Sequence, residues 1–215
     1  MAKVAQKLSA TQHSALDGLP PRRRAIVSAA FSVLMERGYA GASTLEIATR
    51  AKVSKRELYA EFGNKQGILE ALIAATAARM QVPLSPPEIG DRHAFSSALT
   101  QYGIIALSEL TSPPVLAINR LAIAESGRSA DLGQILDQSG REPNRKALGD
   151  LMRRAQAAGF IGAGDPDRLS GQFFSLLFGD LILRLLLGVI PPPTAREINE
   201  RAEAATTAVL ALHPA

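Results

Sequence analysis

The stretch Ser43–Lys65, STLEIATRAKVSKRELYAEFGNK, decides the fold. Ser43 can accept from the backbone N–H of Glu46 while Glu46 reaches back, the reciprocal cap that opens a helix. That helix is short, because AKVS follows within eight residues and Ser54 reads as a second N-cap. The next runs from about Ser54 to Phe62 and halts at GNK, where Asn64 can cap a helix continuing to about Met80. Ile47, Ala48, Ala51, Val53, Leu58 and Phe62 form an apolar set able to close a three-helix core. The other face is left to Ser54, Lys55, Arg56, Glu57 and Ala60. Two short helices joined by a tight turn, the first packed on its predecessor, are the geometry of a helix-turn-helix, whose second helix enters the DNA major groove.

Working outward, residues 1–19 have no sustained period and are expected to be a flexible arm carrying Lys3 and Lys7. Helical periodicity begins after the prolines at 20 and 21, with Ile26, Ala29, Ala30, Val33 and Leu34 on one face, and predicts a helix over about 20–37 that stops at Gly38. Downstream, Pro83, Pro86, Pro87 and Gly90 read as a linker. Beyond it the pattern is helical throughout: 92–110, 113–127, 131–158 with a disturbance at Gly140 and Pro143, 166–188, and 195–212, the last opened by Thr194 and Glu197 as a capping box. No segment has a strand period. The expectation is an all-α chain divided into an arm (1–19), a helix-turn-helix domain (20–65) with a connecting helix (64–80), and a larger helical domain (81–215).

Charge divides along the same line. Residues 1–80 carry 12 Lys/Arg against 6 Asp/Glu, and the remaining residues 12 against 14, so the formal net charge of +4 is a basic +6 module joined to a near-neutral one of −2. A local excess of this kind suits a module that meets a polyanion. With no cysteine among 215 residues, disulfides and thiolate chemistry are excluded, which suits a reducing cytoplasm. His13, His93 and His213 are too dispersed for a metal site, and no cofactor motif is present. The enzyme motifs G-x-S-x-G, H-E-x-x-H and the Walker loop are missing, and GAGDPD at 162–167 has Asp167 where a dinucleotide fingerprint needs its third Gly. The apolar run FFSLLFGDLILRLLLGVI, Phe173–Ile190, reaches membrane-spanning length, but Asp180 and Arg184 inside it would each cost about 2.5–3.5 kcal/mol on insertion. It reads as a buried helix of a soluble protein with no membrane partner.

The segment GYAGASTLEIATRAKVSKRELYAEFGNKQGILEALI, Gly38–Ile73, resembles the TetR family of bacterial transcriptional regulators: a Gly-aromatic stop, Ser/Thr cap, Ile-Ala, Val-Ser turn, Leu-Tyr, Phe, and a Lys opening the fourth helix. More loosely, PPPTAREINERAEAA after the long apolar helix is similar to the C-terminal region of an AefR-like subgroup. The resemblance implies that Ser43 and Thr44 contact phosphate, that Ser54, Lys55 and Arg56 open the recognition helix where base edges are reached, that Tyr59 binds phosphate, and that Lys65 clamps the DNA backbone. Helix N-termini and Lys suit phosphates, and Arg can read guanine O6 and N7 bidentately. The sequence departs from the family pattern at Lys52, where Gly often ends the turn, at Arg56-Glu57, and at Glu61. Positive φ at Lys52 costs about 1–2 kcal/mol. Glu57 can accept from a cytosine N4 or hold a neighbouring Arg; Glu61 is expected to turn away from phosphate. Arg22, Arg23 and Arg24 oppose the helix dipole in the first turn of their helix, so contact with flanking phosphates or a minor groove gives them a reason, and a solvated cluster is the alternative.

A short recognition helix reads few base pairs, so a homodimer on a pseudo-palindromic double-stranded DNA operator is expected, paired through helices 166–188 and 195–212. Asp180 and Arg184 can pair on the first of these, within it or across the dimer, or else place charge in a pocket. The resemblance further implies an inducer cavity between, for which Phe95, Tyr102, Asn119, Arg120, Glu125, Gln172, Phe173 and Phe174 are the candidate lining, the ligand being small or lipophilic. The reading is a ligand-responsive repressor; its rival is an all-α ligand-binding or interaction protein whose helix-turn-helix is only scaffold.

Overall fold

The computed structural model describes residues 19–84 and 89–215. Among them there is no strand; the chain is all-α. The expected arm and Pro86 and Pro87 of the linker lie outside the described residues, apart from Leu19 at the arm's end. Helix α1 spans Pro21–Gly41, α2 Thr44–Ala51, α3 Lys55–Phe62 and α4 Lys65–Gln81, followed by a 3₁₀ turn at Val82–Leu84. Then come α5 (Arg92–Leu110), α6 (Pro113–Glu125), α7 (Asp131–Leu136), a π turn at Asp137–Arg141, α8 (Glu142–Ala157), α9 (Pro166–Phe178), α10 (Leu181–Leu186) and α11 (Ala195–Leu212).

Local chemistry sets these boundaries. Pro21 opens α1 in the one turn where its missing N–H costs nothing. The regular part of α1 ends at Gly38, whose φ of 73° only glycine adopts freely. Asp91 caps α5 and Asp165 caps α9, each accepting a backbone N–H of the first turn. Thr194 and Glu197 form the full capping box of α11. The disturbance expected at Gly140 and Pro143 is the π turn, which lets α7 run into α8 around the proline's missing donor.

The chain forms two compact units that are not consecutive in sequence. The first contains residues up to Ala77 and Pro113–Arg141, and the second Ala78–Ser112 and Glu142–Ala215. Residues 113–141, placed by the sequence in the larger domain, therefore group with the helix-turn-helix. In the first unit Ile26, Val33, Leu34, Ile47, Leu58 and Ile68 share a core with Ile118, Leu132 and Ile135. In the second, α11 packs on α5 and α9, and α9 on α8, around Phe95, Leu99, Tyr102, Leu151, Phe173, Leu177 and Val209.

One expectation is corrected. Residues 166–188 do not form one helix buried all round: Gly179, at φ 48°, ends α9, and the short α10 follows. Leu183, Leu187 and Val189 beyond the break are 60%, 68% and 65% exposed. The apolar run looked continuous because a glycine break leaves hydropathy untouched. No described helix is long and apolar enough to cross a membrane.

Candidate nucleic-acid interface

Helix α2 starts at Ser43, whose hydroxyl accepts from the Glu46 amide at 3.1 Å. The return half of the expected box is absent, because Glu46 turns instead to Arg50 at 2.6 Å. Arg50 also grips Glu36 of α1 with both ends of its fork, at 2.6 Å each, fastening α2 to α1. That pairing holds the Glu36 carboxyl below the usual carboxylate range. The turn closes on Lys52 in the left-handed region, φ 56° and ψ 42°, and it is the one non-glycine with positive φ among the described residues.

Helix α3 has its full capping box: Glu57 N–H donates to the Ser54 hydroxyl at 3.1 Å, and Ser54 N–H to the Glu57 carboxylate at 2.8 Å. These bonds, the backbone one first and Arg22 after, lower the Glu57 carboxyl's pKa. Leu58 and Phe62 are buried and fix the helix. Ser54, Lys55, Arg56 and Tyr59 stay exposed. The Tyr59 hydroxyl lies 3.2 Å from that of Thr44, so the start of α2 and the middle of α3 present two hydroxyls together. Lys55 Nζ sits 5.6 Å from the Tyr59 ring centroid. Arg56 forms no ion pair among the described residues.

Five sequence-predicted contact residues, Glu57, Arg22, Arg23, Arg24 and Lys65, are engaged within the protein. The oxygens of Glu57 are engaged by Ser54 and by the Arg22 guanidinium, which favours the Arg-holding alternative over a base contact. Arg23 donates to Glu61 at 3.1 Å and lies 4.5 Å over the Phe62 ring, and Arg24 donates to the Leu19 carbonyl at 3.3 Å. Arg22 and Arg23 thus fasten the start of α1 to α3, and Glu57 and Glu61, 35 and 38 residues away, are their anchors. Sequence spacing gave no signal for that. Lys65 points inward: its half-buried ammonium donates to the carbonyls of Tyr39 and Ala42, the latter at 3.3 Å, and lies 4.2 Å from the Tyr39 ring centroid. It neutralises orphan carbonyls at the end of α1. Burial pushes its pKa down, opposed by Glu125 and Asp131.

Asn64 caps α4 by accepting from the Gly67 amide at 2.9 Å. Here α3 and α4 touch backbone to backbone, since a Cβ on Gly67 would lie 2.1 Å from the Phe62 carbonyl oxygen. Two family models match this chain: "Bacterial regulatory proteins, tetR family" over residues 26–72, and "AefR-like transcriptional repressor, C-terminal domain" over 97–213.

The chain belongs to the TetR family.

It is a DNA-binding transcriptional regulator and not an enzyme. Among similar proteins, the HTH-type transcriptional regulator YvkB of Bacillus subtilis is 29% identical over 170 residues, covering 78% of this chain and 85% of that one. A TetR transcriptional regulator from Agrobacterium tumefaciens superposes with a TM-score of 0.75 at 28% identity, over 91% of this chain and 95% of that one. The flavonoid-responsive regulator FrrA does so at 0.70 and 29%, over 89% and 96%.

The eight residues suggested for an inducer site do not gather in one unit of this TetR-family chain. Asn119, Arg120 and Glu125 are on α6 in the first unit, where Asn119 donates to its own helix at Val115 O, 2.8 Å away. Phe95, Tyr102, Gln172, Phe173 and Phe174 are in the second. There Phe95 and Phe173 are fully buried core, and Gln172 pairs with His213 at 2.7 Å. Tyr102 is also fully buried, in a ring cluster with Phe173 and Phe174 at centroid distances of 6.2 and 6.0 Å, and its hydroxyl has no partner. Burial raises its pKa. Asp180 and Arg184 pair on the surface at 3.8 Å, both at least half exposed. Among the described residues no group of acidic or histidine side chains could hold a metal.

Proposed function

We propose that this regulator is a repressor that binds a pseudo-palindromic operator as a homodimer and is released by a small lipophilic inducer. The observation that carries the reading is the first turn of α3, reciprocally capped and exposed, with Arg56 uncommitted. In this reading Arg56 reads a base edge, Lys52 and Lys55 meet phosphates, and Ser54 lines the approach. The paired hydroxyls of Thr44 and Tyr59, with the α2 amides that Ser43 starts to cap, receive one phosphate. Arg22, Arg23 and Arg24 reach flanking phosphates. Lys65 acts through the fold, by holding the end of α1 under the start of α4.

An eight-residue helix reads few base pairs, so two copies are needed. The exposed Leu176, Leu183, Leu187 and Val189 on and beyond α9 and α10 support a two-fold partner covering that face together with α11. The AefR-like repressor model supports repression, and the flavonoid response named for FrrA supports a small organic effector. The apolar ring cluster around Tyr102, with one unused hydroxyl donor, supports an effector that is itself largely apolar. In this reading the protein acts in the cytoplasm. The test is a mobility shift with DNA from upstream of the protein's own gene, over a range of salt. Absence of salt-sensitive, sequence-selective binding up to micromolar protein refutes the operator reading and leaves the scaffold alternative.

A further inference from the structure

Among the described residues up to 80, most of the basic side chains are not presented as an open basic surface. Arg22 is paired with Glu57, Arg23 with Glu61, and Arg50 with Glu36 and Glu46, while Arg37 lies 3.7 Å from Glu46 and Lys65 faces carbonyls. Around the turn and the first turn of α3, Lys52, Lys55 and Arg56 have no acidic partner among the described residues.

We propose that Glu57 and Glu61 are specificity-determining residues that act by withholding charge: they keep Arg22 and Arg23 in internal ion pairs, so that DNA of arbitrary sequence meets few free cations. The proposal rests on the reading that α3 faces DNA.

Affinity for arbitrary DNA is set by the number of phosphates neutralised. An arginine already paired with a carboxylate brings no net charge to that count. To use it on a phosphate, the duplex must draw it away and leave a carboxylate beside the backbone. Glu57 cannot follow the arginine, because its other oxygen stays on the Ser54 amide at 2.8 Å. The pairs are nevertheless open to solvent, with side-chain exposures of 56% and 40% for Arg22 and Glu57 and 35% and 37% for Arg23 and Glu61. Exposed pairs of this kind contribute little. They are weak enough to exchange where α3 docks fully and phosphates are held in place, and they persist where it does not. The acidic residues thus lower the background more than they lower operator binding.

The experiment uses the full chain and a random-sequence duplex, with binding followed by fluorescence anisotropy across a salt series for the wild type, Glu57→Gln, Glu61→Gln and the double variant. Glutamine also serves at the third position of a capping box, so the start of α3 is kept. Glu61→Gln, remote from the cap, gives an independent arm. Each arginine set free should steepen the log–log salt slope by about 0.9, so that affinity gains about eightfold more per tenfold dilution of salt. The ratio of operator to random-sequence affinity should fall in parallel. Removal of any negative charge raises affinity somewhat, so the decisive comparison is a double-mutant cycle. The gain from Glu57→Gln should shrink by half or more when Arg22→Gln is also present. Equal gains in both backgrounds, or an unchanged slope in the double variant, overturn the proposal. A wild type that binds no duplex at any salt overturns the α3 reading itself.

Discussion

Replacing Gly67 by alanine tests whether the position of the recognition helix depends on a glycine outside it. A Cβ there would lie 2.1 Å from the Phe62 carbonyl oxygen and 3.2 Å from its carbon. The obstructing atom is backbone and cannot rotate away, so the end of α3 must lift from α4 by about 1 Å to restore ordinary contact. Overpacking of this kind costs about 1–3 kcal/mol, against up to about 1 kcal/mol gained from the better helix former. The net loss should be about 1 kcal/mol, or about 2–4 °C in Tm for a chain of this size. The larger effect should be on DNA. A shift of about 1 Å spoils a bidentate base contact worth about 1–3 kcal/mol, so operator affinity should fall about tenfold or more while random-sequence binding holds. Gly133→Ala is the control, because a Cβ there meets nothing within 4 Å, and it should be neutral or slightly stabilising. Thermal melting and anisotropy on both duplexes measure the two effects. A Gly67→Ala protein with wild-type Tm and wild-type operator affinity refutes the argument that this contact sets α3.

Arg56→Ala should cost about 1–3 kcal/mol on the best operator and change the preferred base at one position, read by selection from a random pool; a uniform, sequence-blind loss contradicts a reading role. Lys65→Met should lower stability by about 1–2 kcal/mol in urea titration, through the lost charged hydrogen bonds to Tyr39 and Ala42, and leave the salt slope of DNA binding unchanged. Glu36, Glu57 and Glu197 have folded pKa values below their ordinary 4.5, so their stabilisation is complete above that pH and is lost as pH falls through the depressed values. The urea midpoint should therefore drop in acid, and the triple Gln variant should drop less. Leu183→Glu with Leu187→Glu should give a monomer by light scattering with an intact helical spectrum; a dimer of wild-type stability rules out that face.

The helix-turn-helix was legible because its signals are local. Ser54 and the apolar set ending at Phe62 lie within a few residues of the contacts they make, and Ser54 caps α3 as expected, the return bond from Glu57 being added by the structure. What escaped was carried by distance or direction. Glu57, expected to meet a cytosine or hold an Arg, and Glu61, expected to turn away from phosphate, are partners of Arg22 and Arg23, and nothing in the spacing announces which arginine lies across 35 residues or more. Lys65 was identifiable as a cation at a helix start, but its direction depends on where α1 ends. Glu46 was expected to complete a cap, and Arg50, one helical turn on, competes for it with a charge-assisted bond. The candidate ligand residues were chosen for being polar or aromatic on apolar helices, a criterion that does not know which unit each helix joins.

The three tyrosines and the lack of tryptophan make this chain its own instrument. Tyr59 lies exposed beside Thr44 on the candidate DNA face, Tyr39 sits beneath the Lys65 ammonium, and Tyr102 is sealed in the aromatic cluster of the second unit. Biosynthetic fluorotyrosine would give one ¹⁹F resonance for each place. A duplex should move the first signal, an effector the third, and the order in which they move during a mixed titration would time the coupling between the two events within a single unlabelled-backbone sample.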